Sequence, residues 1–198
     1  INNDGILDAY MCHDVAPNVY MLSDGAGGFE YIQGGLGETP NGGNYGSVWI
    51  DYNNDGLIDM FIAKCRGGDV PENINQLHRN NGDGTFTEVG EEVGLADNVQ
   101  TWSSAWADYD NDGDDDLFVA NGHVYPAVDL HDIGTSYVQR NQLFENEGSG
   151  SFTEVGTVLG AGMLIEKSSR GAAFGDLDND GDSDVFVVNM DDTPTLLR

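Results

Sequence analysis

The sequence predicts an all-β protein whose four-stranded antiparallel units are arranged as a segment of a β-propeller. Three observations predict it. An acidic nine-residue stretch recurs as DYNNDGLID (51–59), DYDNDGDDD (108–116) and DLDNDGDSD (176–184), with a shortened NNDGILD at 2–8. Each copy runs into an apolar, β-branched or aromatic run: DMFIAK, DLFVAN, DVFVVN. Between copies a hairpin with a glycine-rich turn returns as NQLHRNNGDGTFTEVG, NQLFENEGSGSFTEVG and, more loosely, NVYMLSDGAGGFEYI.

The elements follow in chain order. GSVWI, SSAWA and RGAAF precede the acidic stretches and read as strand A. The apolar run after each stretch reads as a buried strand B, because its side chains are apolar on both faces. NQLHR and its copies give strand C, the glycines supply the turn, and FTEVG gives strand D. The central aspartate recurs at 4, 55, 112 and 180, so the periods are 51, 57 and 68 residues. Four-stranded units at such periods suit propeller blades or a related array. The expected boundaries are a partial blade at 1–32, blades at 45–89 and 102–155, and a partial blade at 170–198. Both ends stop inside a repeat and the chain opens on INNDG, which predicts a piece of a longer chain. Unpaired blade edges would then offer a route to self-assembly.

Charge narrows the function. The chain carries 35 acidic residues against 7 Lys and Arg, a formal net charge of −28. A polyanion partner needs a basic patch, so nucleic acid is excluded as a partner, and an anionic membrane surface is excluded for the same reason. No apolar run reaches the ~20 residues of a membrane span. Sixteen of the 35 acids lie in the four acidic stretches. Concentration of that kind requires a local counter-charge.

A hard cation supplies it. Ca²⁺ takes about six to eight oxygen ligands, and side chains at positions 1, 3, 5 and 9 of a tight loop can converge on it, joined by the carbonyl of position 7. Gly at position 6 permits the turn. The expected ligands are Asp51, Asn53, Asp55, Leu57 (carbonyl) and Asp59; then Asp108, Asp110, Asp112, Asp114 (carbonyl) and Asp116; then Asp176, Asp178, Asp180, Asp182 (carbonyl) and Asp184. The shortened copy keeps Asn2, Asp4, Ile6 (carbonyl) and Asp8. That makes three full Ca²⁺ sites and one partial site. Mg²⁺ resists an all-protein cage and Zn²⁺ prefers the His or Cys that these loops lack. An EF-hand is excluded, because position 12 is Ile62, Val119 or Val187 rather than an acid and strands flank the loops.

These residues resemble the FG-GAP/VCBS repeats known from integrin α-chain propellers. NQLHRNNGDGTFTEVGEEVGL, VANGHVYPAVD and DVFVVNMDDTPTLLR resemble, more narrowly, the ASPIC/UnbV (cartilage acidic protein-like) family. The resemblance spans essentially the whole chain and implies an extracellular or cell-surface calcium-binding protein. Asn53, where most such loops carry Asp, and the shortened first loop depart from the pattern and are expected to bind more weakly.

In an up-and-down sheet, ion loops and glycine turns share one end and the B–C and inter-blade connectors share the other. The long connectors 33–45, 65–74, 121–140 and 156–169 are all of the second kind. A protein or glycan partner is expected there, with His123, Tyr125, His131 and Tyr137 as candidate contacts. Cys12 and Cys65 fall near the ends of strand B in adjacent units; a disulfide between them and two free thiols are both open. No nucleophile-elbow, zinc-protease or phosphate-loop motif occurs, and no catalytic residue is assigned. Trp49, Trp106 and Phe174 share one position, two before the first loop aspartate, and are expected in the core. The expected role is a non-enzymatic extracellular scaffold for adhesion, matrix or surface assembly. The alternatives are a carbohydrate-binding module or the non-catalytic part of a polysaccharide-active enzyme.

Overall fold

The protein is described by a computed structural model that covers residues 1–198 apart from 38, 40 and 69. Those three positions fall in the connectors expected at 33–45 and 65–74. The described residues form antiparallel sheets of two to four strands, and none of these sheets closes on itself.

The first sheet holds β1 (Ala9–Met11), β2 (Val19–Ser23) and β3 (Phe29–Gln33), in that order. The second runs β4 (Asn44–Ile50), β5 (Asp59–Lys64), β6 (Gln76–Asn80), β7 (Phe86–Glu88). The third contains β8 (Thr101–Ala107), β9 (Asp116–Asn121), β11 (Gln142–Asn146) and β12 (Phe152–Glu154), again in chain order across the sheet. The fourth has β14 (Ser169–Gly175), β15 (Asp184–Asn189) and β16 (Thr195–Leu197). These are the strands A to D expected from the repeat.

Strand B explains the stacking. β5 and β9 are buried at all six positions. Side chains alternate across a strand, so each B strand feeds two interfaces. Met60 and Ile62 join Leu36, Tyr10 and Tyr20 between the first and second sheets. Phe61 and Ala63 meet Leu117 and Val119 between the second and third, and Phe118 and Ala120 meet Val185 and Val187 between the third and fourth. The A strands β4 and β8 lie beside each other, as do β8 and β14. Each A strand carries an irregularity at its second residue, Tyr45, Trp102 or Arg170. These side chains stack in turn: Tyr45 edge-on to Trp102 at 4.7 Å, and the Arg170 guanidinium 4.7 Å above the Trp102 ring.

Three details differ from the sequence reading. FTEVG is strand only to Glu88. Gly90–Val93 forms one helical turn (α1), which drops Val93 and Leu95 into the core between sheets two and three. A two-stranded ribbon, β10 (Gln139–Arg140) with β13 (Glu166–Lys167), ties two long connectors together. Cys12 and Cys65 are both free thiols, so no bridge is formed. Near them lies Lys64, fully buried at the end of β5, where its ammonium donates to Thr39 Oγ1 and Asn44 Oδ1. Five residues after the last loop acid, the other repeats carry His13, Asn121 and Asn189 instead.

Candidate metal centre

All four acidic loops share the same two backbone bends. Asn3, Asn54, Asn111 and Asn179, at position 4, take left-handed backbone with φ of 60°, 57°, 64° and 60°. Asparagine tolerates that region better than most residues. Gly5, Gly56, Gly113 and Gly181 follow two residues later with φ of 80° to 100°. The two bends turn backbone N–H groups toward the position-1 carboxylate. Asp51 accepts from the Asp55 and Gly56 amides at 3.0 and 2.9 Å, and Asp108 from Asp112 and Gly113, both at 3.0 Å. Asp176 repeats this with Asp180 and Gly181, both at 3.2 Å. The position-5 acids Asp4, Asp55, Asp112 and Asp180 each accept from the amide two residues on, those of Ile6, Leu57, Asp114 and Asp182.

Position 9 is the first residue of strand B in sheets two to four, and Asp59, Asp116 and Asp184 are buried there. The end of strand C holds this acid in sheets one to three. Ser23 N donates to Asp8 (2.8 Å), Asn80 N to Asp59 (2.7 Å) and Asn146 N to Asp116 (2.8 Å). The second oxygen of Asp116 and of Asp184 accepts from the position-2 amide, Tyr109 N or Leu177 N. Asp59 Oδ2 is buried without a well-formed hydrogen bond, although the position-2 amide of Tyr52 still favours its charged form. Burial, with Asp55 and Asp51 nearby, pushes the Asp59 carboxyl up to about 6. Burial, opposed by its amide donors and reinforced by Asp110 and Asp112, does the same to Asp116.

Carboxylate oxygens of Asp108, Asp110 and Asp116 lie within 4.8 Å of one another, as do those of Asp176, Asp178 and Asp184. Loss of hydration and the adjacent acids raise Asp110 and Asp178. In the second loop Asn53 stands at position 3 and donates to Asp55 Oδ2 at 3.0 Å; Asn2 does the same to Asp4. An amide there relieves repulsion that a carboxylate would add, so the demand for a cation is weaker in these two loops. The grouped donors are all oxygen, which suits a hard cation and not a thiophilic one. The buried Asp59 Oδ2, which makes no well-formed hydrogen bond, is the kind of group a cation would satisfy.

Partner candidates sit on the connectors, which touch one another. The His123 carbonyl accepts from Ser168 Oγ (2.8 Å) and Arg170 (2.9 Å), and His123 N donates to the Tyr137 carbonyl (2.9 Å). Tyr125 is 68 % exposed with its ring 6.0 Å from that of His123. Tyr137 is half-buried, its hydroxyl unpartnered. His131 lies exposed after a 3-10 turn (Pro126–Leu130), with only local backbone bonds. Thus His123, Tyr125 and Tyr137 are brought together, and His131 is not shown to join them. Trp49, Trp106 and Phe174 pack edge-on against Phe86, Phe152 and Phe118, as expected for core residues.

Sequence reasoning missed the position-4 asparagines and the strand-C asparagines Asn80 and Asn146. A signal for both was present: position 4 is Asn in every copy, and NQLHRN and NQLFEN end alike.

Comparison with curated proteins gives no match. The model of the FG-GAP-like repeat matches residues 1–62, 51–119 and 129–187. Those stretches cover most of the chain and carry all four loops, so the chain belongs to the FG-GAP-like repeat family.

Proposed function

We propose that this chain is a calcium-stabilised segment of a β-propeller, a non-enzymatic scaffold that acts in adhesion, matrix or surface assembly outside the cell, as the narrower ASPIC/UnbV resemblance suggests. The observation that carries the reading is the repeated convergence of positions 1, 3 and 9 on one point, with position 9 buried. In the third loop Asp108, Asp110 and Asp116 would hold the ion, and in the fourth Asp176, Asp178 and Asp184; in the second Asp51, Asn53, Asp55 and Asp59 would do so. Bound Ca²⁺ supplies positive charge that cancels carboxylate repulsion and pins each A–B hairpin. The stacking of A strand beside A strand supports a radial arrangement of the sheets. Four Ca²⁺ would bring the formal charge from −28 to about −20.

Elemental analysis combined with a thermal melt, with and without EDTA, tests this reading. Bound Ca²⁺ and a large loss of stability on chelation are expected, since ligand binding is linked to folding. A metal-free protein, or a melt indifferent to EDTA, refutes it. Exposed Tyr125 beside His123 favours glycan recognition as a second reading. Glycan-array binding that disappears in Tyr125→Ala would support it, and no binding would remove it.

A further inference from the structure

Each strand-C asparagine touches two acidic loops at once. In the third sheet, Asn146 N donates to Asp116 Oδ1 at 2.8 Å, holding the position-9 acid of its own loop. Its side-chain amide donates to the Asp115 carbonyl in that loop (3.3 Å) and to the Tyr52 carbonyl in the preceding loop (2.9 Å). In the second sheet, Asn80 N holds Asp59 Oδ1, and its side chain donates to the Ile58 carbonyl at 3.0 Å. The same amide group exchanges two hydrogen bonds with Asn3 of the preceding loop, both 3.1 Å. Asn80 and Asn146 are 3 % and 1 % exposed, so water does not compete for these bonds.

We propose that Asn80 and Asn146 couple neighbouring loops, so that a cation in one loop tightens cation binding in the next; the proposal rests on the cation reading above. An ion drawing on Asp116 fixes the backbone of Asn146. The Asn146 amide then holds the carbonyl of Tyr52, which lies between the ligands Asp51 and Asn53. Ordering one loop therefore lowers the ordering cost of its neighbour, and the effect is reciprocal. A second link between these loops, Asn54 to Asp114 at 2.6 Å, lies on the exposed surface, where water competes with it. Asn80 and Asn146 are positioning residues: they act through Asp59 and Asp116.

The structure provides the reagents for a test. Gly56 N and Gly113 N donate to the position-1 acids of the second and third loops at 2.9 and 3.0 Å, so each amide reports its own loop. Following the Gly113 amide by ¹H–¹⁵N NMR during a Ca²⁺ titration thus gives the affinity of the third loop. Asp55→Ala disables the second loop at an exposed position. Asn146→Ser keeps the backbone bond but removes the bridge, imitating Ser23 at the equivalent site. Asp55→Ala is expected to weaken the third loop by about 5-fold or more. Asn146→Ser should abolish that dependence while a melt shows the fold retained. A third loop indifferent to Asp55→Ala, or a dependence that survives Asn146→Ser, overturns the coupling while leaving ion binding intact. Absence of any Ca²⁺ binding overturns the cation reading itself, and the coupling with it.

Discussion

Replacing Asp59 by Asn should change stability in opposite directions with and without the ion. Asp59 is fully buried, and its Oδ2 makes no well-formed hydrogen bond, the position-2 amide of Tyr52 giving it only partial support. Its carboxyl is held at about 6 instead of 3.8, burial being the main cause and Asp55 and Asp51 adding to it. A raised acid binds a proton more tightly in the folded chain than in the unfolded one. Ion-free stability therefore falls as pH rises from about 4 to 6, and the full penalty is present at pH 7. At ~1.4 kcal/mol per pH unit the penalty has an upper bound of about 3 kcal/mol, and ~1–3 kcal/mol is reasonable because the adjoining loop admits water. In Asp59→Asn the carbonyl can still accept from Asn80 N, while the new NH₂ can donate to neighbouring carboxylates. In EDTA at pH 7 the variant should thus melt several degrees above wild type, at about 2–4 °C per kcal/mol. Below about pH 4 that advantage should vanish. In excess Ca²⁺ the order should reverse, because a charged ligand has been lost. Scanning calorimetry with EDTA and with Ca²⁺, each at two pH values, is the assay. A variant less stable than wild type under both conditions would refute the view of Asp59 as a strained, cation-seeking group.

Other expectations are simpler. Phe118 is fully buried between sheets three and four, so Phe118→Ala should cost about 3–5 kcal/mol in urea unfolding; a cost below 1 kcal/mol would mean the sheets do not pack there. Burial, aided by the nearby Lys64, lowers the His78 imidazole to about 4. It folds neutral, so its contribution is intact above about pH 6.5 and is lost as pH falls toward 4. Urea midpoints at pH 7 and pH 5 should differ less in His78→Gln than in wild type; an equal difference would dismiss the role of His78. Asn111 has φ of 64°, so Asn111→Ala should cost ~1 kcal/mol whereas Asn111→Gly should be close to neutral. Equal losses would show that the asparagine side chain, not its backbone, matters.

The periodic features were legible because their physics is local. Acid spacing, glycine at position 6 and the apolar strand B gave the strand order of each sheet; of the expected ligand positions 1, 3, 5, 7 and 9, the carboxylates at 1, 3 and 9 are grouped in the third and fourth loops. Strand D was read two residues too long because TEVG is locally compatible with a strand; Val93 and Leu95 reach the inter-sheet core only if the chain turns at Gly90. The β10–β13 ribbon was invisible because its strands are two residues each, from connectors far apart in sequence. The double role of Asn146 was also hidden. One of its partners is 94 residues away, and nothing in the local pattern of NQLFEN reveals that.

Lys64 has a consequence for assembly of the fold. Chains built from similar repeats are prone to exchanging equivalent hairpins while they fold. The other repeats place His13, Asn121 and Asn189 where the second sheet has a lysine. Among the described residues, Thr39 and Asn44 offer this ammonium its side-chain acceptors. Seating that hairpin in another sheet's place would bury an amine without them, at a cost of several kcal/mol. Lys64 would thus work as an address, assigning one hairpin to its own place. Lys64→Asn would erase the address, with swapped and aggregated species on refolding as the visible result.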